Sequence, residues 1–166
     1  MEPYSLPNLP LPRGFVAFLD SYVRDIMTDR VISVSPDTLL LDAALLQRSN
    51  SIRHMPVVEN GRLVGLLSDR DIQRCAPSRL IPIDEDGYNN VFAGTTVSRV
   101  MQRHPVTATP GMSLITAIET MQQGRYGCLP VVDNDNLVGI VTRTDLLEAF
   151  QRMLEGKGVS RLAEVK

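Results

Sequence analysis

A chain that repeats itself has settled much of its architecture, because each copy folds alike and the copies bury their open faces against one another. Sliding this sequence by 74 positions aligns Met27–Asp71 with Met101–Asp145 without a gap, and 12 of the 45 pairs are identical. The identities include Met27/Met101, Pro36/Pro110, Ala43/Ala117, Pro56/Pro130, Gly65/Gly139 and Asp71/Asp145. Ile32/Val106, Ser33/Thr107 and Ser68/Thr142 are conservative pairs.

Each copy spells the same run of elements. A short apolar strand (Val31–Val34, Pro105–Ala108) ends at Ser-Pro or Thr-Pro, where proline stops strand pairing and prepares a helix start. Leu40, Ala43, Ala44 and Gln47, and then Leu114, Ala117, Ile118 and Met121, recur at i, i+3, i+4 and i+7, the spacing of one helix face. Two apolar runs follow, Met55–Val58 and Leu63–Leu67, separated by Glu59-Asn60-Gly61, a hairpin turn signal whose second copy is Asp133-Asn134-Asp135. Ser68 or Thr142 then opens a second helix. The fold class is therefore α/β of the α+β type, two pseudo-symmetric β-α-β-β-α repeats packed as one body. The division is a flank over 1–20, repeat 1 over 21–75, a Pro/Gly-punctuated acidic connector over 76–96, repeat 2 over 97–154 and a tail over 155–166.

Composition bounds the function. With 166 residues, 43% of them hydrophobic, the chain can bury one ordinary core or two small ones. A net charge of −2 supplies no basic field for nucleic acid or anionic lipid. No apolar run reaches the ~20 residues of a membrane span, and the start lacks a signal-peptide pattern, so the expected address is the cytoplasm. Cys75 and Cys128 form no CxxC and read as reduced interior thiols, with no metal site expected. Neither a nucleophile with its base nor a phosphate-binding glycine loop assembles around His54 and His104, and the repeats and flanks leave no room for a catalytic domain; no enzyme activity and no catalytic cofactor are expected. His104, before Pro105, reads as a surface residue.

Three motifs, each present twice and in order, carry a family resemblance: Met27 to Ser33 and Met101 to Thr107; Met55-Pro56-Val57-Val58 and Leu129-Pro130-Val131-Val132; Leu63 to Asp71 and Leu137 to Asp145. In these, over about residues 23–150, the chain resembles a tandem pair of cystathionine β-synthase-type (CBS) domains, a Bateman module, and among them stand-alone bacterial CBS-pair proteins such as those encoded near acetoin-utilisation genes. The resemblance implies a regulatory adenosine nucleotide (AMP, ADP or ATP, with S-adenosylmethionine less favoured) in the clefts between the repeats. It also implies a homodimer packed through the repeat helices and an effector protein whose identity the residues do not reveal. Asp71 or Asp145 can accept both hydrogen bonds of a ribose diol, as acidic residues do in other nucleotide folds. The same Ser68-x-x-Asp71 and Thr142-x-x-Asp145 patterns also read as capping boxes that need no ligand, which leaves a ligand-free interaction module as the alternative.

The clefts differ in charge. Arg53 and His54 precede the Met55-Pro56 strand and Arg70 follows Ser68, whereas the matching residues of the second copy are Gly127, Cys128 and Thr144. The preferred cleft is thus expected to comprise Arg53, His54, Met55, Pro56, Ser68, Arg70 and Asp71, with Val106 and Thr107. The second, weaker cleft is expected to comprise Cys128, Leu129, Pro130, Thr142, Arg143 and Asp145, with Ile32 and Ser33.

Overall fold

A computed structural model describes residues 13–75, 92 and 94–160; the expected acidic run of the connector lies outside them. Helix α1 (Arg13–Leu19) is followed by α2 (Leu40–Ser49), strands β1 (His54–Glu59) and β2 (Arg62–Ser68), and α3 (Asp69–Cys75). A two-residue strand β3 (Gln102–Arg103) leads into the second copy: α4 (Leu114–Gly124), β4 (Cys128–Asp133), β5 (Asn136–Thr142) and α5 (Arg143–Leu154).

The local reasons recur in both copies. Leu40, Ala43 and Gln47 of α2 are buried, as are Leu114, Ala117 and Met121 of α4, so the helix face read from the spacing is the one that packs. Polar Gln47 is tolerated there because its Nε2 donates to the Leu67 carbonyl (3.3 Å). Ser51 and Arg125, 74 positions apart, take left-handed conformations (φ 54° each) just beyond the two helices and turn the chain toward β1 and β4. Asn60 and Gly61 (φ 51° and 82°), then Asn134 and Asp135 (48° and 67°), supply the paired positive φ values of a tight hairpin.

The strand order is β1-β2-β5-β4, and the two hairpins pair with each other at their turns, where Arg62 pairs with Asn136. What locks the repeats together is an exchange. β3, the lead-in of repeat 2, pairs with β2 through Gly65↔Arg103 and Leu66↔Gln102. Thr28 in turn exchanges two 2.9 Å hydrogen bonds with Ile140 of β5. The turn at Val23–Asp25 docks on repeat 2, with the Val23 N–H donating to Met112 O (2.8 Å), and its counterpart at Val97–Arg99 docks on repeat 1, with the Val97 N–H donating to Thr38 O (2.9 Å). The cores follow the exchange: Phe18, Val23 and Ile26 pack with Leu114, Leu129 and Val141, while Val97 and Met101 pack with Leu40, Met55 and Leu67.

One expectation changes in detail. The first strand of each repeat shrinks to one parallel bridge, Val34↔Val57 and Ala108↔Val131, because the lead-in divides its hydrogen bonds between the partner repeat's hairpin and its own. Residues 13–20 of the expected flank are built in: Phe18 is 7% exposed and meets Phe150 edge-on at 6.3 Å.

Candidate functional site

The sheet faces that do not meet the helices turn toward each other. Leu66, Cys128 and Ile140 form a small buried cluster there with Val31 beside it, drawing residues of both repeats into one contact. On β1 the alternation that sends Met55 and Val57 into the helical core turns His54 and Pro56 toward this inter-repeat face. His54 pairs with Ser68 across the hairpin and Cys128 with Thr142, so each strand start lies beside the opening of its own second helix. The Asp69 N–H donating to Arg53 O (2.9 Å) and the Arg143 N–H donating to Gly127 O (3.1 Å) fix that junction identically in the two copies.

Both Ser/Thr-x-x-Asp patterns are closed capping boxes. Asp71 Oδ2 accepts the Ser68 N–H (3.0 Å) and hydroxyl (2.6 Å), and the Asp71 N–H donates back to Ser68 Oγ (3.3 Å). Asp145 Oδ2 does the same for Thr142 (2.7 Å from each donor), with a 3.3 Å return bond. Asp71 is the more open of the two, its side chain 23% exposed with Arg74 3.8 Å from Oδ1, whereas Asp145 is 7% exposed.

The expected charge difference has a geometric counterpart that the motifs did not show. A Cβ placed on Gly127 would lie 2.7 Å from His54 Nε2, so the His54 imidazole occupies the space a side chain at position 127 would need. Repeat 1 carries Arg53 at that position, and the alignment of Arg53 with Gly127 was the available signal. Burial lowers the His54 pKa below the usual 6.5; Asp69 and Asp71 pull it up, while Arg53 and Arg70 push it down. Arg53 and Arg70 are exposed and Met55 and Pro56 are buried. In repeat 2, Cys128 fills the place of His54, and burial, with Asp145 adding to it, pushes its thiol to about 12. Leu129 and Pro130 are buried, and the Arg143 guanidinium is drawn aside, its Nε donating to Tyr126 O (2.8 Å).

Each lead-in segment also pairs with the first hairpin strand of its own repeat. The Val34 N–H donates to Pro56 O (3.1 Å) and the Val58 N–H to Val34 O (2.8 Å), which lays the segment that carries Ile32 and Ser33 along β1. Equivalent 2.9 Å bonds between Ala108 and Pro130 and Val132 lay the segment that carries Val106 and Thr107 along β4. The chain crosses to the partner hairpin at Thr28 and Gln102 and has returned to its own repeat's hairpin by Val34 and Ala108.

His104 is exposed, and Cys75 is half-buried rather than interior. Among the described residues no group of three or more His, Cys, Asp or Glu side chains is placed to hold a metal, and no helix is long and apolar enough to cross a membrane. Two surface depressions lie away from the clefts, one on α2 beside Leu45, Leu46 and Arg48, the other of about 410 Å³ beside Glu59, Leu63, Arg103 and His104.

A relative in Bacillus subtilis, the CBS domain-containing protein YhcV, is 41% identical over 126 residues, covering 76% of this chain and 83% of its own. The solved structure of a Vibrio cholerae protein described as acting in acetoin utilization (AcuB) superposes with a TM-score of 0.69 at 31% identity, covering 81% of this chain and 93% of that one. CBSX2 of Arabidopsis thaliana, solved in complex with AMP, gives 0.67 at 26% over 80% of this chain and 98% of its own. The CBS domain pair of MJ0100, solved with 5-methylthioadenosine and S-adenosyl-L-methionine, gives 0.67 at 25% over 79% and 96%. The CBS domain profile itself matches residues 23–78 and 97–162, the two copies that the 74-residue offset relates, and the chain belongs to the CBS domain family as a tandem pair.

Proposed function

We propose that this chain is a regulatory module that binds a phosphate-bearing adenosine ligand (AMP, ADP or ATP) in the cleft that comprises Arg53, His54, Met55, Pro56, Ser68, Arg70 and Asp71, with Val106 and Thr107. The single observation that carries the reading is the charge asymmetry between matching positions of the two copies. Repeat 1 carries Arg53, His54 and Arg70 where repeat 2 carries Gly127, Cys128 and Thr144, so the cationic donors that favour a phosphate belong to one copy. The complexes of CBSX2 with AMP and of MJ0100 with S-adenosyl-L-methionine support the ligand class. In this reading no reaction is catalysed. Occupancy is passed to an effector protein or to the pairing of two copies of the chain, which requires that the ligand favour one of two arrangements. The chain acts in the cytoplasm, and the Asp145 cleft takes a less charged adenosine compound such as S-adenosylmethionine, or none.

A second reading rests on the closed caps. Because Ser68 and Asp71, and Thr142 and Asp145, already satisfy one another, the module can fold and pair without any ligand. Calorimetric titration with AMP, ADP, ATP and S-adenosylmethionine separates the readings. AMP binding that is lost in Asp71→Ala and kept in Asp145→Ala is the expected result. No binding of any of the four supports the interaction module.

A further inference from the structure

His54 is enclosed from several sides. Arg53 precedes it on the same strand, Asp69, Arg70 and Asp71 of α3 act on it electrostatically, and Gly127 of the other repeat lies against its imidazole. On that far side the Arg143 N–H holds the Gly127 carbonyl, and the Arg143 guanidinium is held by the Tyr126 carbonyl. Burial, Arg53 and Arg70 hold its pKa below the usual 6.5 against the upward pull of Asp69 and Asp71. An anion brought between Arg53, Arg70 and His54 offsets the arginines and supplies an acceptor for an imidazolium N–H, which reverses the balance.

We infer that His54 takes up a proton when an anionic ligand occupies the Asp71 cleft, so that this cleft prefers phosphate-bearing ligands more strongly as the medium acidifies. The inference rests on the reading of that cleft as the nucleotide site. Gly127 is part of the device: with no side chain it lets the imidazole lie at the inter-repeat contact, so the proton arrives where the two repeats touch. Repeat 2 has no such group, because Cys128 stands at the equivalent position with its thiol protonated up to about 12.

The test is AMP titration between pH 6 and 8 with wild type and His54→Gln, in buffers of differing ionisation enthalpy so that proton uptake per AMP is counted, with adenosine as the uncharged probe. The AMP phosphate titrates near 6 on its own, and the His54→Gln protein carries that background. The expected result is up to about one more proton taken up by wild type than by the variant, with affinity steepening by as much as about tenfold per pH unit relative to it. Adenosine should show no such difference. As a check independent of the variant's folding, the imidazole resonance of His54 in His104→Gln protein should titrate at higher pH with AMP than without. Equal proton uptake in both proteins, with AMP binding still dependent on Asp71, overturns the inference and leaves the nucleotide site standing. Absence of AMP binding to wild type overturns both.

Discussion

Asp71 Oδ2 and Asp145 Oδ2 each accept two hydrogen bonds from the residue three positions back, so at residue scale the cap and the candidate ribose-binding group are the same carboxylate. Thr142→Ala removes a cap and should lower stability by about 1 kcal/mol, read from the midpoint of urea unfolding. Asp71→Ala should cost a similar amount and, in addition, abolish AMP binding at a temperature where the variant is still folded. His54 gives the protein a pH dependence with a definite sign. Its folded pKa lies below the 6.5 of the unfolded chain, so the unfolded state binds more protons as pH falls. Stability is therefore full above about 6.5 and declines below it toward the folded value, a loss that chemical denaturation at pH 7.5 and 5.5 should reveal and His54→Gln should reduce. The Cys128 thiol, 3% exposed and protonated up to about 12, should resist thiol reagents in the native protein and react once denaturant is added, whereas half-buried Cys75 should react first. The capping pairs were legible because their partners are three residues apart. The role of Gly127 was not, because its reason is a histidine of the other repeat.

At the scale of elements, the exchange of lead-in segments explains why methionine and glycine repeat together in the sequence. Met101 packs over Gly65 and Met27 over Gly139, each across the boundary between repeats. A Cβ at Gly139 would sit 2.7 Å from the Met27 sulfur and 3.1 Å from the Thr28 carbonyl, and one at Gly65 would collide with the Met101 sulfur. Gly139→Ala should therefore destabilise by about 1–3 kcal/mol, and Met27→Ala in the same chain should recover part of the loss, since the cost is overpacking rather than lost φ freedom. A full loss that Met27→Ala leaves untouched would assign the strain to the Thr28 backbone instead. Helix faces, hairpins and turn residues could be read from periodicity and from Asn60-Gly61 and Asn134-Asp135, which act within a few residues. The lead-in strands were over-read because an apolar tetrapeptide signals pairing without saying with which hairpin, and here the pairing is divided between two.

At the scale of the whole molecule, the helical surfaces keep apolar side chains in solvent: Leu45 on α2 is 56% exposed, and on α5 Leu147 is 68% and Leu154 70% exposed. The homodimer implied by the family resemblance would cover such surfaces, and sedimentation should then show a dimer that Leu147→Glu combined with Leu154→Glu converts to a folded monomer. A monomeric wild type would instead leave these residues to the effector. The sequence by itself determined the number of repeats, the order of elements within each, the helix face that packs, the hairpin turns and the local Ser/Thr-x-x-Asp pairs, because all of these depend on neighbours a few residues away or on a period visible in one dimension. Only the tertiary structure decided that Thr28 and Gln102 cross to the other repeat's hairpin and that His54 lies against Gly127. Those facts depend on how two nearly identical units are placed against each other. A repeated sequence makes the intra-repeat and exchanged pairings equally plausible on local grounds, and only packing in three dimensions separates them.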